Sequence, residues 1–365
     1  MSEQRNAGPT RHQLLGMDYA VFAIAQATRH LEQLSFHINR AAAAQTPDAV
    51  HDLRVAVRRF TQALALGKSC FASRAVKKIR RRLRTIMTLA GTVRDYDIAV
   101  KLVTRSKAKD AAAVNGKLRA HRTEARKILA ASLQQWNSRD PTSKWRHALE
   151  AKASIAEFKP TTVEDVARRK LPRLADAVFR EGHRAASPEA SAEQLHKCRL
   201  AAKKFRYTVE LFAELYGPDA GVWVEQLKAT QNLLGSISDC AMTRRLVEDM
   251  GASNRIIGDL KERQQRKTRQ FRKAWVEKLG SAETTNQWVH AWHHPPHKPK
   301  ARAAAQGHSS EGNGPASSGP EPNLRVETAA NMTRKPGSSK IGYRELAPSI
   351  AEELHPPRCC RAEPS

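Results

Sequence analysis

Several things are scarce in this chain of 365 residues. Aromatic residues make up 5%, and glycine and proline are sparse before residue 293. Alanine, leucine, arginine and lysine fill the space they leave, a helix-favouring composition. The five cysteines (Cys70, Cys198, Cys240, Cys359, Cys360) are scattered. They form no CxxC pair and no zinc spacing, and an odd, scattered set fits a reducing compartment better than a disulfide framework. No run approaches the roughly 18 apolar residues of a membrane span, and the N-terminus MSEQRNAGPTRHQ has no apolar h-region. These absences lead us to expect a soluble, cytoplasmic protein without membrane contact.

Acidic residues are also short. There are 36 of them against 63 Lys and Arg, a formal charge of +27. Residues 293–365 hold 10 basic and 7 acidic residues, so 1–292 carry 53 and 29, a surplus of 24. The charge belongs to the part with helical periodicity, and a polyanionic partner is its natural counterpart. Apolar spacings of three and four predict helices at 14–44, 47–67, 73–90, 95–106, 110–137, 142–157, 163–184, 191–216, 220–234, 239–250, 254–279 and 283–292. Thr46-Pro47-Asp48 reads as N-cap, N1 proline and first-turn acid. Gly91 and Gly235 stand where a helix is expected to stop, and Gly217-Pro218 ends another. Residues 1–13 and 293–365 are expected to be disordered; the latter are rich in Pro, Gly and Ser and too poor in apolar area to offset ordering entropy.

The stretch HDLRVAVRRF at 51–60 returns as HKCRLAAKKF at 196–205. Likewise LRTIMTLAGTVRDYDIAVKLV at 83–103 returns as LKATQNLLGSISDCAMTRRLV at 227–247. Thr46 and Ser191 stand five residues before each His. The offsets of 145 and 144 residues mark a duplication of whole helical units. The expected fold is therefore all-α, two four-helix-type bundles within 14–292 (about 14–157 and 163–292) facing each other about a pseudo-twofold axis.

On a helical wheel His51, Arg54 and Arg58 form one ridge spanning ~10 Å, flanked by Arg59, opposite Leu53, Ala56, Val57, Phe60 and Leu64. His196, Arg199 and Lys203 repeat it, with Lys204 flanking and Arg206-Tyr207 following. On 73–90, Lys77, Arg80 and Arg84 cluster with Arg81 beside them; Arg84 has a counterpart in Lys228, whereas Val224 and Glu225 replace Arg80 and Arg81. Rows of cations at one-turn intervals suit a linear polyanion, with Arg giving forked contacts and Lys point charges. Among cations the His protons should be loosely held, and a bound polyanion should restore them.

The doubled pattern H-x-x-R-x-x-x-[RK]-[RK]-[FL], followed by L-x-x-x-x-x-x-G-x-x-x-D, resembles the CHAD family of conserved-histidine α-helical domains over roughly residues 14–290. That resemblance implies two helical bundles around a basic central groove or pore that binds inorganic polyphosphate, and association with polyphosphate granules. By position it implies phosphate contacts from His51, Arg54, Arg58, Arg59 and Arg84, and from His196, Arg199, Lys203, Lys204, Arg206 and Lys228. TVRDYD at 92–97 keeps the pattern, while SISDCA at 236–241 lacks the Arg and the second Asp. The ExExK strand of a triphosphatase domain, fused to some relatives, is absent.

Other groups read more plainly. Asp95 and Asp239, each after a glycine stop, are expected as N-caps, and Asp97 as a counter-charge to nearby arginines. Without paired carboxylates and a base in both halves, no catalytic residues, cofactor or metal are expected. His293, His294 and His297 lie in the tail. The run KERQQRKTRQFRK at 261–273 reads as a solvated helix, the six tryptophans as packing, and Cys198 as core. The reading is a non-catalytic polyphosphate binder. Nucleic acid is the alternative ligand, disfavoured because the ridges lack interleaved aromatics and base-reading Asn or Gln; a phosphatase would need the missing metal or nucleophile cluster.

Overall fold

The computed structural model describes residues 11–150 and 161–293, all within a compact unit, Met1–Lys298. The expected tails, apart from a short turn and His293, lie outside the described residues. The elements are α1 (Arg11–Leu14), α2 (Tyr19–Ala43), α3 (Pro47–Leu66), α4 (Ser73–Val103), α5 (Ala111–Arg139), α6 (Pro141–Glu150), α7 (Val163–Ala186), α8 (Ala192–Tyr216), α9 (Pro218–Glu248), α10 (Asn254–Lys278) and α11 (Ala282–His293). Among the described residues there is no strand, only a two-residue bridge.

The expected helix 14–44 is divided between α1 and α2 by a turn in which Gly16 takes φ +82, and residues 11–13, expected as disordered, lie in α1. Asp18 then caps α2 by accepting from the amides of Ala20 and Val21. Thr46 caps α3 through the Ala49 amide at 3.1 Å, with Pro47 at N1 as expected. Ser191 and Gln194 form a reciprocal capping box on α8. Each such cap contributes about 1 kcal/mol. The expected helix at 142–157 is seen as α6 as far as Glu150; the rest lies outside the described residues.

The expected stops at Gly91 and Gly235 do not occur. α4 and α9 each run unbroken for 31 residues, and neither glycine adopts the positive φ that a helix-ending glycine takes. Buried apolar rows explain why. Ile79, Leu83, Ile86, Ala90, Val93, Ala99 and Val103 continue across Gly91, and Leu227, Leu234, Ile237 and Val247 across Gly235. Burial on both sides outweighs the roughly 1 kcal/mol penalty of a mid-helix glycine.

The halves repeat each other in space. In each, consecutive long helices pack together, the first also packs on the fourth (α2 on α5, α7 on α10), and a short fifth helix covers the first (α6 on α2, α11 on α7). Phe60 of α3 is covered by Trp145 of α6, with ring centroids 6.2 Å apart, and its counterpart Phe205 of α8 by Trp288 of α11 at 6.4 Å. Trp275 lies so close to Gly182 of α7 that any Cβ there would fall inside its ring.

Between the halves three helices meet their own counterparts: α2 meets α7, α3 meets α8 and α4 meets α9. At one end Asp18 and Thr162, 144 positions apart, form an antiparallel bridge. The Tyr19 amide donates to the Thr161 carbonyl at 2.9 Å and the Val163 amide to the Met17 carbonyl at 3.0 Å. These bonds exchange equivalent residues, the mark of a local twofold. One apolar core runs through both halves, with Phe22 stacked on Phe212 at 5.6 Å. A smaller one joins Tyr96, Val103, Val114 and Leu118 to Val247, Ile256 and Leu260.

Candidate anion-binding site

α3 buries Leu53, Ala56, Val57, Phe60 and Leu64 and turns His51, Arg54 and Arg58 away from that core. Because α3 packs on α8, this ridge faces the other half. The Arg58 Nε donates to the Tyr207 hydroxyl at 2.9 Å, the Arg59 Nε to Glu210 at 3.3 Å, and the Gln62 amide to the Thr208 hydroxyl at 2.8 Å. Arg54 donates to the Met87 carbonyl at 3.2 Å, which lays its guanidinium on α4.

Of two perturbed groups, His51 feels charges of the first half alone and Asp239 feels cations of both halves. His51 is exposed at the head of α3; partial desolvation holds its pKa below the usual value, and Arg94, Arg58 and Arg54 push the same way against Asp52. Burial holds the half-buried Asp239 above the usual carboxylate range, opposed by Arg199, Arg94, Lys203 and Arg54. Four cations from α3, α4 and α8 thus act on one carboxylate of α9. Arg54 and Arg94 come from the first half, Arg199 and Lys203 from the second.

Asp95 and Asp239, expected as N-caps, are mid-helix residues of α4 and α9. With the helices continuous, Arg84, Gly91 and Asp95 fall in one row along α4, and Lys228, Gly235 and Asp239 in the equivalent row along α9. Half-buried Gly235 has no atom within 4 Å of where a Cβ would stand, so there is room beside this row. Arg94 is the site residue that the sequence reading did not assign. Its signal was its place in TVRDYD, but a helix stop at Gly91 detached it from the ridge; the unbroken α4 restores it.

The remaining expected residues divide. Lys77 and Arg81 are exposed and Arg80 is half-buried, one to two turns ahead of Arg84 on α4. The Arg84 Nε is buried with no hydrogen-bond partner. His196 is exposed at the head of α8. Exposed Lys204 acts on Lys170 of α7, whose pKa is lowered by burial first, then by Lys204 and Arg169. Arg206 lies 4.7 Å over the Tyr207 ring and pairs with Glu210 at 3.6 Å. Glu210 also pairs with Arg59, and Glu225 with Lys228. Arg59, Arg206 and Lys228 therefore already carry counter-charge.

Asp97 does offset arginines, those of α5: it pairs with Arg122 and Arg126, both at 3.3 Å. Cys198 is buried, and burial pushes its thiol up to about 12. Trp136, Trp145, Trp275, Trp288 and Trp292 are buried, with Trp223 packed against the core. Within the charged run of α10, Arg263, Arg266 and Lys267 act on Cys240 of α9, so part of it faces the bundle. Among the described residues there is no cluster able to hold a metal, and no helix long and apolar enough to cross a membrane. Of the tail histidines, His293 ends α11; His294 and His297 lie outside the described residues.

A duplicated helical bundle whose halves meet across a basic seam defines a recognisable class of all-α domain. The chain belongs to the CHAD domain family, which it matches over residues 25–248. Its fold is similar to that of the CHAD domain from the plant Ricinus communis, at 19% identity and a TM-score of 0.58, covering 78% of this chain and 98% of that one. It is also similar to PptA from Streptomyces chartreusis, at 15% identity and a TM-score of 0.52, covering 71% of this chain and all of the other. No curated protein matches the chain.

Proposed function

We propose that the protein binds inorganic polyphosphate without cleaving it, in a groove along the seam between its halves, and that this binding places it on polyphosphate granules in the cytoplasm. The observation that carries this reading is the convergence of Arg54 and Arg94 with Arg199 and Lys203 around the row that bears Asp239. Cations spaced a helical turn apart match a chain with an anionic unit at every step, and binding releases the counterions of both. Open room beside Gly235 lets an extended chain approach α9. The surplus of basic residues on 1–292 adds long-range attraction. The non-catalytic part of the reading rests on Asp239: a carboxylate enclosed by cations is poorly placed to hold a metal ion.

The test is competition. Labelled polyphosphate bound to the protein is challenged with duplex DNA and with RNA at equal phosphate equivalents and fixed ionic strength. Retention of polyphosphate is expected; displacement by DNA or RNA at equal effectiveness overturns the ligand assignment. Shortening of the polyphosphate with Mg²⁺ or Mn²⁺ present overturns the non-catalytic part. Granule placement is tested by the position of the fluorescently tagged protein in cells with and without polyphosphate stores.

A further inference from the structure

We propose that Glu210 closes the Arg59 side of the α3–α8 crossing to the phosphate chain, so that the bound chain leaves the crossing past Lys204. This deepens the polyphosphate reading and rests on it. Glu210 projects from α8 with a side-chain exposure of 21%. Its Oε2 takes the Arg59 guanidinium of α3 at 3.3 Å, and its Oε1 faces Arg206, one turn earlier on its own helix, at 3.6 Å. Arg206 also lies 4.7 Å over the Tyr207 ring, whose hydroxyl accepts from the Arg58 Nε at 2.9 Å. The acid therefore stands beside the ridge, where arginines of both halves come together.

The pseudo-twofold supplies the comparison. In the register that sets HDLRVAVRRF on HKCRLAAKKF, Arg59 corresponds to Lys204, Arg206 to Thr61 and Glu210 to Ala65. The mirror image of this trio has one cation and no acid, and both Lys204 and Ala65 are exposed. A guanidinium that already holds a carboxylate gains little from a phosphate oxygen, since one charge-assisted bond is exchanged for another. The displaced carboxylate would also be left facing an anion, a like-charge juxtaposition. Affinity through counterion release comes from cations whose charge is not already neutralised. The pairing withdraws Arg59 and Arg206 from the path, whereas Lys204 meets no acid at the mirror position. The chain follows the side that is not neutralised.

The test uses the full chain and long-chain sodium polyphosphate, with affinity measured at several salt concentrations. E210Q frees both arginines: it should bind about tenfold more tightly and steepen the slope of log affinity against log salt by about two, one per arginine. E214Q removes the same charge from an exposed position one turn further along α8 and should change both quantities far less. A65E copies the acid to the Lys204 side and should bind about fivefold more weakly, with a slope shallower by about one. An E210Q protein that binds no differently from E214Q overturns the inference. If E210Q does not fold, A65E decides alone, and an unchanged slope in that variant overturns the inference as well. A wild type that ignores polyphosphate removes the ligand assignment and the path with it; a wild type that binds while E210Q and E214Q agree removes the path alone.

Discussion

The two halves share a scaffold and differ in charge. Caps at Thr46 and Ser191, covered phenylalanines at 60 and 205 and the reciprocal bonds at 18 and 162 recur with little change. Along the central helices, however, Arg80, Arg81, Arg84 and Arg94 of α4 face Val224, Glu225, Lys228 and Ser238 as their counterparts on α9. Lys228 is tied to Glu225, and the Ser238 hydroxyl donates to a carbonyl of its own helix, that of Leu234. Duplication kept what holds the bundles together and let the cations diverge. A polyanion bound as proposed would meet an arginine-rich wall on α4 and a sparsely charged one on α9, bridged by similar ridges on α3 and α8.

The largest expected effect comes from removing the ridge that stands beside the arginine-rich α4. Replacing Arg54 and Arg58 with Glu should weaken polyphosphate binding about a hundredfold and lower the slope of log affinity against log salt by about two, one per lost phosphate contact. The R199E/K203E variant in the second half should lose less, about tenfold, because fewer cations stand behind it. Binding at several salt concentrations, with helicity followed by circular dichroism, measures both. Equal losses would mean that the halves share the load evenly; unchanged affinity in R54E/R58E with helicity intact would remove the ridge from the site.

The next comparison concerns packing between the central and outer helices. Buried Val114, Leu118, Leu129 and Leu133 of α5 correspond in register to Ile256, Leu260, Phe271 and Trp275 of α10. That register sets Gln264 and Thr268 against Arg122 and Arg126, while Ala241 stands for Asp97. The whole ion triad of the first half is therefore neutral in the second. Asp97 has a side-chain exposure of 5%, with its partners at 25% and 27%, so D97A strands two largely desolvated cations. A loss of about 2 kcal/mol in unfolding free energy is expected, less than a fully buried pair would show. The D97A/R122Q/R126T variant, which copies the second half, should recover most of it in urea denaturation. A triple variant no more stable than D97A would show that the arginines act through packing.

Much of this was legible in the sequence because repetition made it so. Two copies of the His-Arg ridge, at a nearly constant offset, announced an all-α duplication, and α3 and α8 bury the faces their periodicity assigned. What could not be read was continuity. A glycine followed four residues later by aspartate has the form of a helix stop and a new cap; only the apolar rows buried on both sides reveal that α4 and α9 run through. That single difference moved Asp95 and Asp239 from caps to mid-helix acids and brought Arg94 to the seam. One counter-charge was also hidden. Glu210 and Glu225 stand at helical spacing from Arg206 and Lys228, but only the crossing of α3 on α8 puts Glu210 beside Arg59 as well.

Histidines sharpen the contrast by pH. His51 has its pKa lowered by partial desolvation and by Arg94, Arg58 and Arg54, and the pKa values of His30 and His37 are lowered chiefly by burial. All three belong to the first half. A folded pKa below the unfolded value of 6.5 means that the unfolded chain binds protons first on acidification. The stability these groups contribute is complete well above pH 6.5 and is lost as the pH falls below it towards their folded values. Melting temperature should therefore decline below pH 6.5, and H51A should reduce the decline. Polyphosphate should oppose it by favouring the protonated ring, so affinity should rise from pH 8 to 6. An H51A/H196A variant that keeps the full rise would remove both histidines from the response.

The smallest effect tests the seam with one methyl group. Gly235 is helical and its absent Cβ would meet nothing within 4 Å, whereas Gly91, its counterpart on α4, is buried. Alanine at 235 removes the entropy penalty of glycine without a clash, and should raise stability by about 0.5–1 kcal/mol, a melting shift of about 2 °C. The same methyl group projects into the room beside Lys228 and Asp239. If the phosphate chain passes there, G235A should bind about two- to threefold more weakly despite being more stable, since lost close contact is not offset by any new one. Opposite signs for stability and binding at a single position are hard to obtain from general damage to the fold. A G235A protein that is stabilised and binds like wild type would move the path of the chain off α9 and onto the arginines of α3 and α4.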